Sequence, residues 1–418
     1  MNLDAAKSFS NPFRPGAGHK PPYLAGRSQE QEEFERFLQQ DPILQNMILT
    51  GLRGVGKTVL LDTFRPVAIQ HKWGWVGTDL SESTSISEAN MATRILTDMS
   101  VFTSSLTVPQ KVHSAGFEKP TSAQVPLTFN TLIARFNETP GLTADKLKGV
   151  LEYVWSLMKD TDRRGVVFAY DEAQNLADAA DKGQFPLSLL LDVFQSIQRK
   201  GIRFMLVLTG LPTLFPKLVE ARTYSERMFH VVFLNQLNRS ASKDAILKPI
   251  AKSPYVFTDK SVETIISLTS GYPYFIQFVC KEVYDIWIQQ VSAGREPSVP
   301  YPELVKKLDA DFFQGRWARA TDRQRDLLRV AAFLPNCDSE FTVQELMQGS
   351  KSVLEKPFTS SHINQMLSSL SDAGLVYKNR YGKYSFAVPL FSQFIRRQPK
   401  DEKVENGPLA FDFGEPEA

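Results

Sequence analysis

The chain of 418 residues is long enough for two or three domains, each with a core of its own. Hydrophobic residues make up 42% and charged residues 22%, and a formal net charge of +2 excludes a polybasic nucleic-acid coat, so any such surface has to be local. Cys280 and Cys337, the two cysteines, stand in unrelated contexts, which argues against a disulfide framework or a zinc site and for a reducing compartment.

Residues 1–26 read as an extended N-terminal segment, punctuated by Pro12, Pro15, Pro21 and Pro22 and lacking the apolar core of a signal peptide. Nowhere is there a run of about 18 apolar residues fit to span a bilayer, so a cytoplasmic protein with no membrane partner is expected. Ser28 then reads as the cap of a helix carrying Glu30, Glu32 and Glu33 in its first turns, where acids suit the dipole.

Met47–Thr50 is a short apolar strand that runs into a glycine loop, and Thr58–Phe64 continues as a helix. Trp73–Thr78 reads as a second strand. Between residues 80 and 162 the pattern is mostly helical, with helices near Ile86–Met99, Thr128–Phe136 and Ala144–Met158. Thr103–Val125, rich in Ser, Thr and Pro, reads as loop. Three further buried strands follow at Val166–Tyr170, Phe204–Leu208 and Val231–Leu234, separated by helices such as Leu187–Arg199 and Thr213–Ala221. Strands alternating with helices imply an α/β fold, a parallel sheet with helices on both faces.

The loop after the first strand, Gly51-Leu-Arg-Gly-Val-Gly-Lys57-Thr58, has the spacing G-x-x-x-x-G-K-[ST] between a strand and a helix. Its glycines let the backbone amides from Gly51 through Gly54, Val55, Gly56 and on to Val59 turn toward a polyanion, and the helix N-terminus adds its dipole. Lys57 is placed to reach the β- and γ-phosphates of ATP, and the Thr58 hydroxyl to ligate Mg2+. Val166-Val-Phe-Ala-Tyr170-Asp171-Glu172 is an apolar strand ending in two acids at the sheet's carboxyl edge, where ligands bind in such folds. Asp171 there suits the magnesium shell, and Glu172 suits polarising a water for attack on the γ-phosphate, so turnover by an ATPase is expected rather than binding alone.

After Leu237 the strands stop, and Arg239–Lys248, Asp259–Thr269, Tyr274–Gln289 and Pro302–Phe313 carry helical periodicity, as in a helical lid. Asp322–Phe333, Thr342–Gln348 and Ser360–Ala373 read as three more helices. Leu375–Lys378 and Lys383–Val388 flank the turn Asn379-Arg-Tyr-Gly382, so the region reads as a winged helix. It holds twelve Lys or Arg against seven Asp or Glu between Arg316 and Gln398. Lys378, Arg380 and Lys383 suit phosphate contacts with duplex DNA, while Ser361, His362, Asn364, Gln365 and Ser368 on the third helix offer no arginine for base edges. Docking to a protein is the open alternative. Pro399 to Ala418 is acidic and reads as disordered, with Leu409-Ala-Phe411-Asp-Phe413 as a candidate docking peptide for a partner protein.

Taken together, the two phosphate motifs, the helical lid and the helical C-terminal region resemble the AAA+ ATPases. The likeness points to the branch of origin-recognition-type initiators, archaeal-type ATPases and transposition helpers. The resemblance implies a P-loop NTPase core at 27–237, a lid at 238–315, a winged-helix domain at 316–398 and a homo-oligomer. It also implies that Tyr23-Leu-Ala-Gly-Arg27 borders the adenine, so Tyr23 and Arg27 join the nucleotide site. Thr209, at the end of the fourth strand, falls where such ATPases keep a polar sensor, and it also reads as an ordinary strand end before a turn. Arg227 in Ser225-Glu-Arg-Met-Phe229 falls where the family carries an arginine finger, with Arg222 in reserve; a surface arginine is the alternative. One departure stands out. Where origin-type members carry a second-sensor arginine, this chain has Gly271-Tyr-Pro273-Tyr-Phe275, closer to the Gly-x-Pro element of signalling STAND ATPases and archaeal-type ATPases, with Pro273 placed to pack on the base or simply to start a helix after a glycine turn. A STAND-like switch whose winged helix docks protein is therefore the second functional expectation.

Overall fold

The computed structural model describes residues 10–16, 18–112, 121–159, 161–253, 256–295, 299–380 and 382–399. The acidic tail from 400 onward with its candidate docking peptide, and the side chain of Arg380, lie outside the described residues. The chain divides into two compact units, residues 1–267 with 271–292, and residues 268–270 with 293–418.

The first unit opens with helix α1 (Ser28–Phe37), strand β1 (Asn46–Thr50), helix α2 (Lys57–Gln70) and strand β2 (Trp73–Val76). Arg27, and not Ser28, stands at the N-cap of α1, and its side chain goes elsewhere. Helix α3 (Glu88–Thr103) follows, capped by the Ser87 side chain, which accepts from the Asn90 amide. The segment expected as loop then forms an antiparallel pair, β3 (Thr107–Val112) with β4 (Thr121–Pro126), in register from Thr107 opposite Pro126 to Val112 opposite Thr121. Threonine and valine favour a pleated strand, and the polar composition hid that preference. Helices α4 (Phe129–Glu138) and α5 (Thr143–Met158) complete the helical stretch expected between 80 and 162.

Strand β5 (Gly165–Tyr170), helix α6 (Pro186–Gln198), strand β6 (Phe204–Gly210), helices α7 (Leu214–Ala221) and α8 (Ser225–Met228), and strand β7 (Phe229–Phe233) finish the sheet. Its order is β2-β5-β6-β1-β7, and every pairing is parallel. All residues of β1, β5 and β6 are buried, as continuous apolar strands covered on both faces must be. Alternate residues feed two cores. Ile48, Phe168, Tyr170, Leu206 and Leu208 pack with α3 to α6, while Met47, Leu49, Val167, Ala169, Met205 and Val207 pack with α1 and α2. Register places Leu49 opposite Thr209 and Tyr170 opposite Leu208, so Gly51, Asp171 and Gly210 emerge along one edge.

Helices α9 (Arg239–Leu247), α10 (Asp259–Thr269) and α11 (Pro273–Ser292) come after the sheet. The second unit holds helix α12 (Tyr301–Leu308), a π-helical stretch Asp309–Gln314, and helices α13 (Asp322–Ala332), α14 (Val343–Val353) and α15 (Ser360–Asp372). A three-stranded antiparallel sheet of β8 (Phe341–Thr342), β10 (Lys383–Phe386) and β9 (Val376–Arg380) and helix α16 (Phe391–Arg397) complete it. Phe341, Phe386, Phe391 and Phe394 form an aromatic core there, with Phe391 and Phe394 stacked at 5.7 Å.

Candidate functional site

The loop between β1 and α2 turns through two left-handed glycines, Gly54 (φ 81°) and Gly56 (φ 91°). A Cβ on Gly56 would meet nothing within 4 Å, so the loop leaves an open hollow in front of it. A Cβ on Gly54 would lie 3.1 Å from the Tyr274 Cβ, and the Tyr274 amide donates to the Gly54 carbonyl at 3.1 Å. The first turn of α11, which starts at Pro273, is therefore seated directly on the glycine loop.

Lys57 is only 8% exposed. Its ammonium donates to the carbonyls of Gly51 (2.9 Å) and Leu52 (3.0 Å), and among the described residues no carboxylate lies within ion-pair distance. Desolvation lowers its pKa, which the carboxylates of Asp171 and Glu172 partly restore and Arg53 opposes. A buried ammonium served only by neutral carbonyls is a site built for an anion that arrives from outside.

Asp171 is 3% exposed and organises the other side of the loop. Its Oδ2 accepts from Thr58 Oγ1 at 2.5 Å, and its Oδ1 accepts from the Glu172 amide at 2.7 Å and from the Thr209 hydroxyl. Strand β2 runs on beside it, with the Asp171 amide donating to the Thr78 carbonyl (3.2 Å) and the Leu80 amide to the Asp171 carbonyl (2.9 Å). A cleft of about 270 Å³ opens against Thr58 and Asp171, walled by Asp62, Arg65, Thr78 and Asp79. Burial raises the pKa of Asp62 and of Asp79, and the charge of Asp171 raises both further. Among the described residues no three acidic, histidine or cysteine side chains come together as a metal cage, so a cation held here would rest on Asp171, the Thr58 hydroxyl and oxygens of a ligand.

Glu172 is exposed, in the left-handed region (φ 51°). A non-glycine residue there stores roughly 1–3 kcal/mol of strain, of the kind concentrated at functional sites. Its carboxylate accepts from the Gln174 side-chain amide, and Gln174 Oε1 in turn accepts from the Leu211 amide at 3.0 Å. Gln174 thus ties Glu172 to the turn after β6. Sequence reasoning missed it; its one signal was a polar residue two positions after the acid pair.

Other expected residues fall around this edge. Arg27 is 7% exposed and donates to the carbonyls of Val55 (3.0 Å) and Asn235 (2.7 Å) and to Glu30 (3.1 Å), so it braces the glycine loop from behind. The Tyr23 hydroxyl accepts from Lys248 Nζ at 2.8 Å, and the ammonium lies 4.4 Å from the ring centroid. Arg227 is exposed on α8. Arg222 is gripped in a fork by Asp192 (2.9 and 2.7 Å), which also accepts from the Tyr224 hydroxyl (2.6 Å).

A model described as a domain of unknown function, DUF8462, matches residues 310–395. No curated protein matches the chain. Among solved structures, a Walker-type ATPase of Pyrococcus abyssi is similar with a TM-score of 0.56 at 16% identity, covering 89% of this chain and 96% of that one. The ADP form of the ORC2 protein of Aeropyrum pernix is similar with a TM-score of 0.52 at 16% identity, covering 91% and 95%. Its complexes with ADPNP and ADP give a TM-score of 0.53 at 15% identity, covering 91% and 96%. At such identities the likeness concerns the fold alone. The chain has the expected α/β fold, the parallel P-loop NTPase sheet with helices on both faces, followed by further helices and a C-terminal domain.

Proposed function

We propose that the chain is an AAA+-like ATPase that binds ATP with Mg2+ at the sheet edge, hydrolyses it, and uses nucleotide state to control assembly or its hold on a partner. One observation carries the reading: the buried Lys57 ammonium has no carboxylate partner at ion-pair distance among the described residues, and Asp171 beside it is held by two threonines. The amides of Gly51, Gly54, Val55, Gly56 and Val59 cradle the phosphates, and Lys57 exchanges its two loop carbonyls for phosphate oxygens. Thr58 and Asp171 would hold Mg2+, which would supply positive charge against the phosphate oxygens. Glu172 takes a proton from the attacking water as its oxygen bonds to the γ-phosphorus and ADP departs. Thr209 keeps Asp171 oriented. Tyr23, Arg27 and Pro273 border the base, Arg27 acting through Val55.

Arg227 serves a neighbouring copy in this reading, as an exposed guanidinium on α8 free to reach across a homo-oligomer interface. Arg222 is the poorer candidate because Asp192 already occupies its fork.

The second unit reads as a winged helix: three helices, a small antiparallel sheet, and the β9–β10 hairpin as wing. Duplex DNA is the partner it suits through the backbone, with Lys378 exposed and Lys383 half-buried on the wing. The polar face of α15, Ser361, His362, Asn364, Gln365 and Ser368, is exposed. A specific observation favours the second reading, docking to protein. Much of the unit's basic excess is engaged internally: Arg397 pairs with Asp309, Arg325 and Arg329 lie over the Trp317 ring, Arg323 lies over Phe358, and Arg396 donates to the Ala332 carbonyl.

Phosphate release with ATP and Mg2+ tests the core of the proposal. Lys57→Ala is expected to abolish nucleotide binding, while Glu172→Gln keeps binding and slows hydrolysis by roughly 10²–10⁴-fold. An intact protein that binds no ATP ends the reading. For the second unit, duplex binding with a steep salt dependence supports DNA, and none at low salt supports protein docking.

A further inference from the structure

The N-terminal segment, expected only as an extended lead-in, runs from helix α11 to the glycine loop. Phe13 is 2% exposed, packed against Phe257 (6.4 Å between centroids) and Tyr284 of α11 (6.3 Å). On either side of it the chain is fastened to the same helix. The Asn11 side-chain amide donates to the Lys281 carbonyl (2.9 Å) and to Asp285 Oδ1 (2.7 Å), and the Arg14 amide donates to Gln277 Oε1 (3.4 Å). A turn closed by the His19 amide on the Gly16 carbonyl (3.3 Å) then brings Gly18 against the cradle, where a Cβ on Gly18 would lie 3.4 Å from Thr58 Cγ2. Next come Tyr23, held by Lys248 at the end of α9, and Arg27, bonded to the Val55 carbonyl of the loop.

We infer that residues 11–16 and 18–20 form a strap that tethers α11 to the phosphate cradle beside Thr58, with Asn11 and Phe13 as its positioning residues. This rests on the ATP-binding reading above. Five residue steps separate Phe13 from Gly18, a reach of at most about 18 Å when fully extended, and the turn at Gly16 has already shortened it. Helix α11 is also joined to the cradle directly, through Tyr274 and Gly54. A nucleotide seated on Thr58 is then held longer while Asn11 and Phe13 keep Gly18 against Thr58. Retention of nucleotide is set at a place some forty residues upstream of the motif that binds it.

The test is the release rate of a fluorescent ATP analogue with Mg2+, chased by excess ATP, in the full chain and in Asn11→Ala, Phe13→Ala and Phe13→Leu. Release is expected to quicken on the order of tenfold in Asn11→Ala and Phe13→Ala, with the association rate little changed, since such effects fall mainly on dissociation. Phe13→Leu refills the pocket and is expected to recover most of the slow release. A purely structural role would lower the melting temperature without this split between on- and off-rates. Asn11→Ala removes only hydrogen bonds and keeps the test valid where Phe13→Ala fails to fold. Wild-type protein that binds no analogue overturns the ATP reading and the strap with it. Wild-type binding with unchanged release in Asn11→Ala and Phe13→Ala overturns the strap alone.

Discussion

Arg27 separates two roles that a residue near the nucleotide can play, contact with the base and support of the loop. In the structure its guanidinium donates to the carbonyls of Val55 and Asn235 and to Glu30, with the side chain 8% exposed. Arg27→Ala removes two charge-assisted bonds to backbone carbonyls, each worth about 1.5–3 kcal/mol, for a loss of roughly 3–6 kcal/mol. The Glu30 pair adds little beyond this, at about 0–1 kcal/mol. For a cooperative unit of a few hundred residues that loss lowers the melting temperature on the order of 10 °C. The assay is thermal unfolding without nucleotide, followed by ATP titration well below the variant's melting temperature. Arg27→Lys is expected to recover less than half of the loss, because an ammonium lacks the planar fork that spans both carbonyls. If Arg27→Ala melts like the wild type yet binds ATP tenfold more weakly, the bracing argument is wrong and Arg27 touches the nucleotide.

Nucleotide affinity should fall as pH rises, because burial depresses the Lys57 pKa in the free protein and a triphosphate raises it again. Affinity is then fullest below the free-state value and is lost as pH climbs from there toward the ordinary lysine range. Titration calorimetry in two buffers of different ionisation enthalpy should show proton uptake on binding at alkaline pH, and no uptake would refute it. Gln174→Ala should free the Glu172 carboxylate and change the rate of hydrolysis at saturating ATP while leaving ATP affinity within about threefold, since Gln174 touches the acid and the Leu211 amide rather than the cradle. Mixing Arg227→Ala protein with Glu172→Ala protein should restore part of the hydrolysis each has lost, measured by phosphate release. Absence of recovery would count against action between copies. Asp192→Asn should lower stability at neutral pH by loosening Arg222 and Tyr224. Burial alone would raise the Asp192 pKa, but the Arg222 and Tyr224 hydrogen bonds outweigh it, so the wild-type contribution is present above the ordinary carboxylate range. It fades as pH falls through the depressed value, and melting curves of wild type and variant should converge in acid.

What could be read from the chain alone follows the range of the interactions. The glycine loop and the acid-tipped strand were legible because their chemistry lies within eight consecutive residues, and each sits at the end of an unmistakable apolar run. The five parallel strands were legible for the same reason. The β3–β4 pair was not, because a Ser/Thr-rich segment shows no apolar alternation even when β-branched residues are set to pair. Ser28 was misread as a cap because capping statistics weigh only the local backbone, and Arg27, at that position, is committed to Val55 and Asn235. Gln174, Asp79 and Gly18 escaped altogether. Asp79 and Gly18 matter only through partners far along the chain, and Gln174 matters through Leu211 as well as its near neighbour Glu172, a pairing that a lone polar residue after the acids hardly signals.

The arrangement around Asp171 also explains why the site is stable and yet ready to receive a ligand. On the proposed reading, the groups around the cradle each have a partner: Lys57 has two carbonyls of its own loop, Thr58 and Thr209 have Asp171, and Glu172 has Gln174. A buried polar group left without a partner costs about 1–3 kcal/mol, so a fold that presented these groups bare would be penalised several times over. Holding them with hydroxyls, a side-chain amide and neutral carbonyls removes that penalty and still leaves each bond weaker than the one to phosphate or a divalent cation that replaces it. Binding then proceeds by exchange. The bonds given up lie at the ends of β5 and β6 and within the glycine loop that meets α11 at Tyr274. On the proposed reading, occupancy of the cradle would reach α11 through Gly54 and the turn after β6 through Gln174.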